Sequence, residues 1–390
     1  MSSAANRPDA SRARIWAEAT RLLCVRLDNM GDVLMTTPAL RALKHATLNG
    51  ARPSEPGSLT LLASSSGAAV ARHIPEIDAV LTYQAPWVKA SPAHEAALDR
   101  RFVRKLAAAR FDGAVIFTCY SQSALPAALL CTLAGIPLRL AHCRENPYAL
   151  LTDWIPECEP ESGIRHEVQR QIDLVASIGA RIGDTHLSFR IDPRDRAAVQ
   201  AKMQSRDGIG EPIPLAQTRS YAIVHPGATA SSRRYAPDRF ACAARAVATD
   251  LGLPVLVTGD ATERPLVEQI VASAGTGVVS LAGALSLGEL AALIEGAALL
   301  ISNNTGPVHL AAALGTPVVD LYALTNPQHT PWQVAHRVLN RDVPCRNCRK
   351  SVCPYGTGAC LDVAPEEVIT AARMLAHPAA VRPHRNPLQV

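Results

Sequence analysis

The sequence predicts two doubly wound α/β domains in tandem, and three observations carry that prediction. Short apolar runs bounded by turn residues alternate with helical patterns from about residue 21 onward, as buried parallel strands joined by crossover helices do. A polar, Pro/Gly-rich stretch at 191–220 (IDPRDR, then DGIGEPIPLAQTRS) interrupts the alternation. The 390 residues exceed one ordinary core and suit two, at roughly 100–200 residues per domain. The expected order is a disordered tail at 1–20, a first domain at 21–190, a linker at 191–220 and a second domain at 221–344. A Cys-rich segment with a C-terminal helix and tail follows at 345–390.

In the first half, RLLCVRLD (21–28), SLTLLAS (58–64), AVLTY (79–83) and DGAVIFT (112–118) read as buried strands. Helical patterns occupy 93–109 and 166–178, the second with Val168, Ile172 and Val175 on one face and Gly179 as its stop. In the second half, YAIVHPGA (221–228) runs into a turn, and Pro237 opens a helix carrying Phe240, Ala244 and Val247. LPVLVTGD (253–260) is the next strand, followed by a helix from Glu263 to Ala274. Ser286 and Glu289 form a capping box for a helix over 286–297. ALLISNN (298–304) is a strand, 307–314 a helix, and PVVDLY (317–322) the expected final strand.

Composition narrows the function. Apolar residues make up 48% and charged residues 19% of the chain, the proportions of a globular protein. The most apolar run, Leu125 to Leu138, is broken by Pro126, Gly135 and Pro137, which excludes a spanning helix of about eighteen residues. The N-terminus carries arginines without an apolar core and does not read as a secretory signal. The net charge of +5 suits an anionic ligand or a membrane surface, and no nucleic-acid partner is expected. With no export signal a reducing, cytoplasmic compartment is expected, so the ten cysteines do not imply a disulfide framework. The chain contains no G-x-G-x-x-G, Walker, H-E-x-x-H or G-x-S-x-G motif. It also lacks any Asp-x-Asp pair that could hold a catalytic divalent cation.

Three strand-end turns remain, and ligands of α/β sheets bind at the carboxyl ends of strands. In Asp28-Asn29-Met30-Gly31-Asp32-Val33, Gly31 permits a tight turn and Asp32 stands where the next helix begins. That carboxylate fits either a general base or a cap of its own helix. Pro38 in the same helix implies a kink or a nearby start. In His225-Pro226-Gly227-Ala228-Thr229, followed by Ser231, Ser232, Arg233 and Arg234, small residues, hydroxyls and guanidiniums resemble a pyrophosphate cradle. The arginines also fit a plain solvated pair. In Ser302-Asn303-Asn304-Thr305-Gly306-Pro307-Val308-His309, a strand runs into a helix whose N–H groups and dipole would meet an anion. An ordinary capped βα unit is the other reading.

RLDNMGDVLMTTPALRAL, HPGA…RRYAP and SNNTGPVHLAAALGTPVV, in this order, resemble glycosyltransferase family 9, the heptosyltransferases of the lipopolysaccharide inner core. CRNCRKSVCPYGTGACL resembles the Cys-rich tail of many members, so the resemblance spans about residues 20–375. It implies a GT-B fold of two Rossmann-like domains facing across a cleft. The acceptor would bind the N-terminal domain and the nucleotide-sugar donor the C-terminal domain. Inverting transfer needs no obligatory cofactor or metal. By resemblance Asp32 is the base, and Thr229 and Arg234 hold the diphosphate, with Gly31 and Gly227 as loop glycines. Thr305, Gly306 and His309 complete the cradle, and Glu263 accepts from the ribose. Asn304 stands where members commonly have Asp, which bears on donor recognition.

The expected function is therefore inverting sugar transfer, heptose from ADP-heptose onto a lipid-linked or oligosaccharide acceptor, with peripheral contact at the cytoplasmic face of the inner membrane. The rival readings are a GT-B transferase or epimerase using a UDP- or GDP-sugar, and a binding protein without turnover. Arg100, Arg101, Arg104 and Lys105 read as acceptor contacts or as a solvated helix face. Cys345, Cys348, Cys353 and Cys360 read as a structural zinc or iron site, or as a loop of reduced thiols folded onto the first domain. Either way that segment is expected to lie away from the phosphate-handling residues.

Overall fold

The computed structural model describes residues 10–50, 57–88, 95–204 and 219–376. Two compact units divide the chain, Met1–Arg190 and Ile191–Val390. The first contains α1 (Ala10–Ala17), β1 (Arg21–Arg26), α2 (Met30–Gly50), β2 (Ser58–Ala63), α3 (Ser65–Ala71), β3 (Ala79–Thr82), α4 (Ala96–Ala109), β4 (Gly113–Ile116), α5 (Leu125–Leu133), β5 (Leu138–Cys143), β6 (Asp153–Pro156) and α6 (Glu167–Ala176). Its strands pair in the order β3-β2-β1-β4-β5-β6, all parallel. β1 lies between β2 and β4, with Val25 opposite Leu62 on one side and Ile116 on the other.

The second unit contains α7 (Pro193–Gln204), β7 (Ala222–His225), α8 (Pro237–Asp250), β8 (Val255–Val257), α9 (Arg264–Ala274), β9 (Val278–Ser280), α10 (Leu287–Gly296), β10 (Leu299–Asn303), α11 (Gly306–Leu314), β11 (Val318–Leu321), β12 (His336–Leu339) and α12 (Pro365–Ala376). The strand order β12-β11-β10-β7-β8-β9 repeats that of the first sheet, again all parallel. Both sheets thus have the Rossmann order, whose direction of winding reverses between β1 and β4 and between β7 and β10. Strands such as β1, β4, β7 and β10 are buried along nearly their whole length, because helices cover both faces. No helix among the described residues is long and apolar enough to cross a membrane.

Local chemistry explains the elements. Ser286 accepts from the Glu289 amide while the Glu289 carboxylate accepts from the Ser286 amide, so the predicted capping box opens α10. Pro38 lies inside α2 rather than at its start. It removes the amide that would reach the Leu34 carbonyl, and the Thr37 hydroxyl donates to that carbonyl instead at 2.7 Å.

Several expectations need correction. Residues 1–9 of the expected disordered tail lie outside the described residues, but 10–17 form α1. Trp16 is buried, donates from Nε1 to Asp153 Oδ2 at 3.1 Å and packs where a Cβ on Gly113 would sit 2.8 Å from its ring. The expected linker begins with α7, which packs on α10: Lys202 Nζ lies 2.6 Å from Glu289 Oε1, and Arg196 pairs with Glu295 at 2.8 Å. Only 205–218 of that stretch lie outside the described residues. The strand at 318–321 is not the last, since β12 pairs beside it. The C-terminal helix α12 contributes Val368, Ala371 and Ala372 to the second core, while the tail at 377–390 lies outside the described residues.

Because Trp16 fills the base of the first unit, Trp16→Ala is expected to lower unfolding stability by about 3–5 kcal/mol. Denaturant unfolding measures it, and a loss below about 1 kcal/mol would make α1 dispensable.

Candidate active site

In the first unit the site grows from the end of β1. Leu27 is the last buried apolar residue, and Asp28 and Asn29 carry the chain into α2. Gly31 is the second residue of that helix and is not left-handed, so its expected role in a tight turn is not what the backbone shows. Asp32 combines both predicted roles. Its Oδ2 accepts the Asn29 amide at 3.2 Å, as a helix cap does, and its Oδ1 meets Arg26 Nη2 at 3.2 Å. Asp28 also pairs with Arg26, at 3.0 Å, and accepts from Gln122 Nε2 at 2.6 Å. Burial raises the Asp28 carboxyl above its usual range, against the opposing pull of Arg26.

The second unit brings the other predicted residues together. β7 ends at His225, which is buried, bonds Thr258 Oγ1 through Nδ1 at 3.0 Å, and is pushed down to about 4 by burial; its imidazole is neutral at pH 7. Gly227 is needed for close approach: a Cβ there would lie 2.0 Å from Glu263 Oε1. Glu263 is thereby held against the second turn, and its Oε2 also accepts the Asp260 amide at 3.1 Å. Thr229 is exposed at the end of the turn. Arg234 donates from Nε to the Ala228 carbonyl at 2.8 Å, which lays it along the turn. Arg233 instead reaches Thr325 Oγ1 at 3.2 Å.

The third turn adjoins the second through a residue the motif reading passed over. Asn303 donates to the Pro226 carbonyl at 2.7 Å and accepts the Tyr235 amide at 2.9 Å. Thr305 is the N-cap of α11, Gly306 its first residue, and His309 lies buried in its first turn. Asn304 spends its amide protons inward, on Asp320 Oδ2 at 3.0 Å and the His329 carbonyl at 2.9 Å. The carboxyl absent from position 304 is thus found on the adjacent strand β11. Asp320 is fully buried, its Oδ1 has no hydrogen-bond partner among the described residues, and burial pushes it up to about 8. At pH 7 it is largely protonated. The pair places little negative charge beneath the turn.

The cysteine-rich segment does not lie away from these residues. Ser232 Oγ donates to the Lys350 carbonyl at 2.7 Å and the Ser232 amide to the Ser351 carbonyl at 3.1 Å. The Asn347 and Arg349 amides reach the Leu324 and Thr325 carbonyls at 2.7 and 2.9 Å. The segment therefore braces the turn that carries Arg233 and Arg234. A tetrahedral metal does not fit the sulfurs as they stand. Among the described residues no three of Cys345, Cys348, Cys353 and Cys360 have sulfurs all within 4.8 Å of one another. Backbone N–H groups of Gly358, Tyr355, Thr357 and Gly356 surround the Cys353 sulfur and hold its thiol below the usual range.

Arginines and helix N-termini at one set of strand ends, and a carboxylate pair at the other, are parts that can bind an anionic leaving group and accept a proton. The family model for glycosyltransferase family 9 (heptosyltransferase) matches residues 99–358. The chain is 27% identical over 170 residues to lipooligosaccharide heptosyltransferase 2 of Campylobacter jejuni, a match covering 42% of this chain and 53% of that one. The chain thus spans about half the length of that curated relative. A solved family 9 glycosyl transferase from Veillonella parvula superposes with a TM-score of 0.73 at 22% identity, covering 92% of this chain and 97% of the other. The Escherichia coli ADP-heptose lipopolysaccharide heptosyltransferase II gives 0.68 at 20% identity, covering 91% and 98%. These two likenesses establish the shared GT-B fold.

The Asp320 carboxyl yields a pH prediction. Its folded value of about 8 lies above the unfolded value of about 3.9. Its contribution to stability is therefore complete below pH ~4 and lost as pH rises to about 8. Asp320→Asn keeps an acceptor for Asn304 and cannot ionise. Its melting temperature is expected to gain on wild type by several degrees across that window and level off above it. A pH-independent difference in thermal scans would contradict the buried, protonated carboxyl.

Proposed function

The chain belongs to glycosyltransferase family 9, and we propose that it transfers heptose from ADP-heptose to a saccharide of the lipopolysaccharide core, with inversion at the anomeric carbon. The observation that carries the reading is the division of labour between the two sheets. The first places a carboxylate at the carboxyl end of its central strand, and the second places amides, hydroxyls and a guanidinium at the corresponding strand ends.

In this reading Asp32 takes the proton of the acceptor hydroxyl as its oxygen bonds to the anomeric carbon. The bond from that carbon to the diphosphate oxygen breaks, and the diphosphate leaves with the electron pair. The α11 N-terminus at Thr305 and Gly306, with Thr229 and Arg234, stabilises the departing charge. His309, buried in the first turn of that helix, completes the cradle, and the Glu263 carboxylate accepts from the nucleotide ribose. In this reading the chain's own groups supply the positive field. Lys, Arg and apolar side chains on the first unit suit contact with an anionic membrane surface. Arg100, Arg101, Arg104 and Lys105 are exposed on α4, and Leu129 and Leu133 on the neighbouring α5. This supports a lipid-linked acceptor met at the cytoplasmic face of the inner membrane.

One observation favours a second reading. Asn304, tied to Asp320 and the His329 carbonyl, stands where members commonly have Asp. That change suits a donor other than ADP-heptose, such as a UDP- or GDP-linked sugar, handled by the same machinery.

Asp32→Asn is expected to fold and bind donor as wild type does, and to lose transfer by ~10²–10⁴-fold. The assay uses ADP-heptose and lipopolysaccharide extracted from cells lacking core heptose. Near-wild-type turnover would leave Asp32 as a helix cap only.

A further inference from the structure

We infer that Arg26 is the positioning residue of the Asp28–Asp32 carboxylate pair, and that Glu167 anchors Arg26 for that task. The inference rests on the reading of Asp32 as the base and adds residues to which no role has been given. Arg26 ends β1 with no exposed surface. Three carboxylates surround it: Asp28 at 3.0 Å from Nε, Asp32 at 3.2 Å from Nη2, and Glu167 at 2.9 Å from Nη1. The Asp28 and Glu167 contacts are ion pairs in which Nε and Nη1 are not aligned as hydrogen-bond donors. The aligned bond to a carboxylate is the one from Nη2 to Asp32. Nη2 also meets the Cys119 sulfur at 3.4 Å.

Stability alone does not account for such a cluster, because a buried ion pair is often no better than packed apolar side chains. One guanidinium against three carboxylates also leaves an excess of negative charge. Part of that excess shows in the raised Asp28 carboxyl and in the Cys119 thiol, which burial and then Glu167 push up. Within the first unit, the groups facing the pair include Arg26 from β1, Glu167 from α6, and Cys119 and Gln122 from the stretch after β4. Glu167 is itself fixed by Gln171 Nε2 at 2.7 Å, and Gln171 also donates to the Thr118 carbonyl at 3.0 Å. α6 therefore sets the guanidinium, and the guanidinium sets the orientation of Asp32.

Arg26 and Glu167 have opposite charges, so their removal must act in opposite directions on the pair. Two readouts are used: the pH profile of transfer from ADP-heptose to extracted heptose-free lipopolysaccharide, and the aspartate carboxyl carbons followed by NMR titration without substrate. In Arg26→Lys the cation no longer bridges both carboxylates. The acid limb and the paired NMR titration are expected to move up by on the order of one pH unit, with kcat reduced about tenfold or more. In Glu167→Gln both are expected to move down, with KM for the donor unchanged. Glu167→Gln also keeps the test alive if Arg26→Lys fails to fold. Unmoved titrations in the folded variants, or a shift of the same sign in both, would overturn the role of Arg26. Near-wild-type transfer by Asp32→Asn would instead overturn the assignment of the base. An inactive Asp32→Asn with unmoved titrations in the other variants would overturn the Arg26 role alone.

Discussion

Parallel pairing on both sides of a central strand is the constraint on which the rest depends. β1 is flanked by β2 and β4, and β7 by β8 and β10. At each of these strands the winding reverses, so the connections leave in opposite directions and uncover the carboxyl ends. Every residue proposed to touch the substrates, Glu263 apart, follows one of three strands at these reversals: β1, β7 or β10. Glu263 follows β8, the next strand over, and reaches back through its contact with Gly227. The same constraint explains why the strands themselves are apolar and the chemistry sits in short turns.

Buried polar side chains hold those turns. Asn303 stitches the end of β10 to the turn after β7, and Asp320 fixes the amide of Asn304. Ser232 fastens the arginine-bearing turn to the Cys-rich segment. In a low-dielectric setting such bonds are expensive to leave unmade, so the turns are rigid in the places where an anion would be met. The field they offer comes from helix ends and guanidiniums. The carboxyl nearest the third turn is largely protonated at neutral pH. A diphosphate would therefore meet little opposing charge there.

The elements with strong local signals were legible in the sequence. The capping box at Ser286 and Glu289, the Pro-opened α8 and the apolar β10 all lie where pattern and turn chemistry place them. α1 was not, because its arginines and short apolar content hide one deeply packed residue, Trp16. β12 was missed because its residues are only half buried, as suits an edge strand. Of the site, the three turns and their order were legible. Asn303, Asp320, Arg26 and Glu167 were not, since each matters through a partner distant in sequence. Arg26 and Glu167 are separated by 141 positions (167 − 26) and meet only through folding. The one available hint was a charged residue inside an apolar strand, RLLCVR. For a related reason the spacing of the Cys-rich segment gives no hint of the bonds to Ser232, Leu324 and Thr325 that make it a brace.

The central claim is that the turns after β7 and β10 form a nucleoside-diphosphate cradle built from the chain's own groups. Equilibrium binding of ADP, UDP and GDP to the wild-type protein, read as the rise in melting temperature with ligand concentration, tests it most directly. The account predicts a saturable rise with ADP that persists in excess chelator and exceeds that given by UDP or GDP. Equal flat responses to all three nucleotides, or a rise abolished by the chelator, would contradict it.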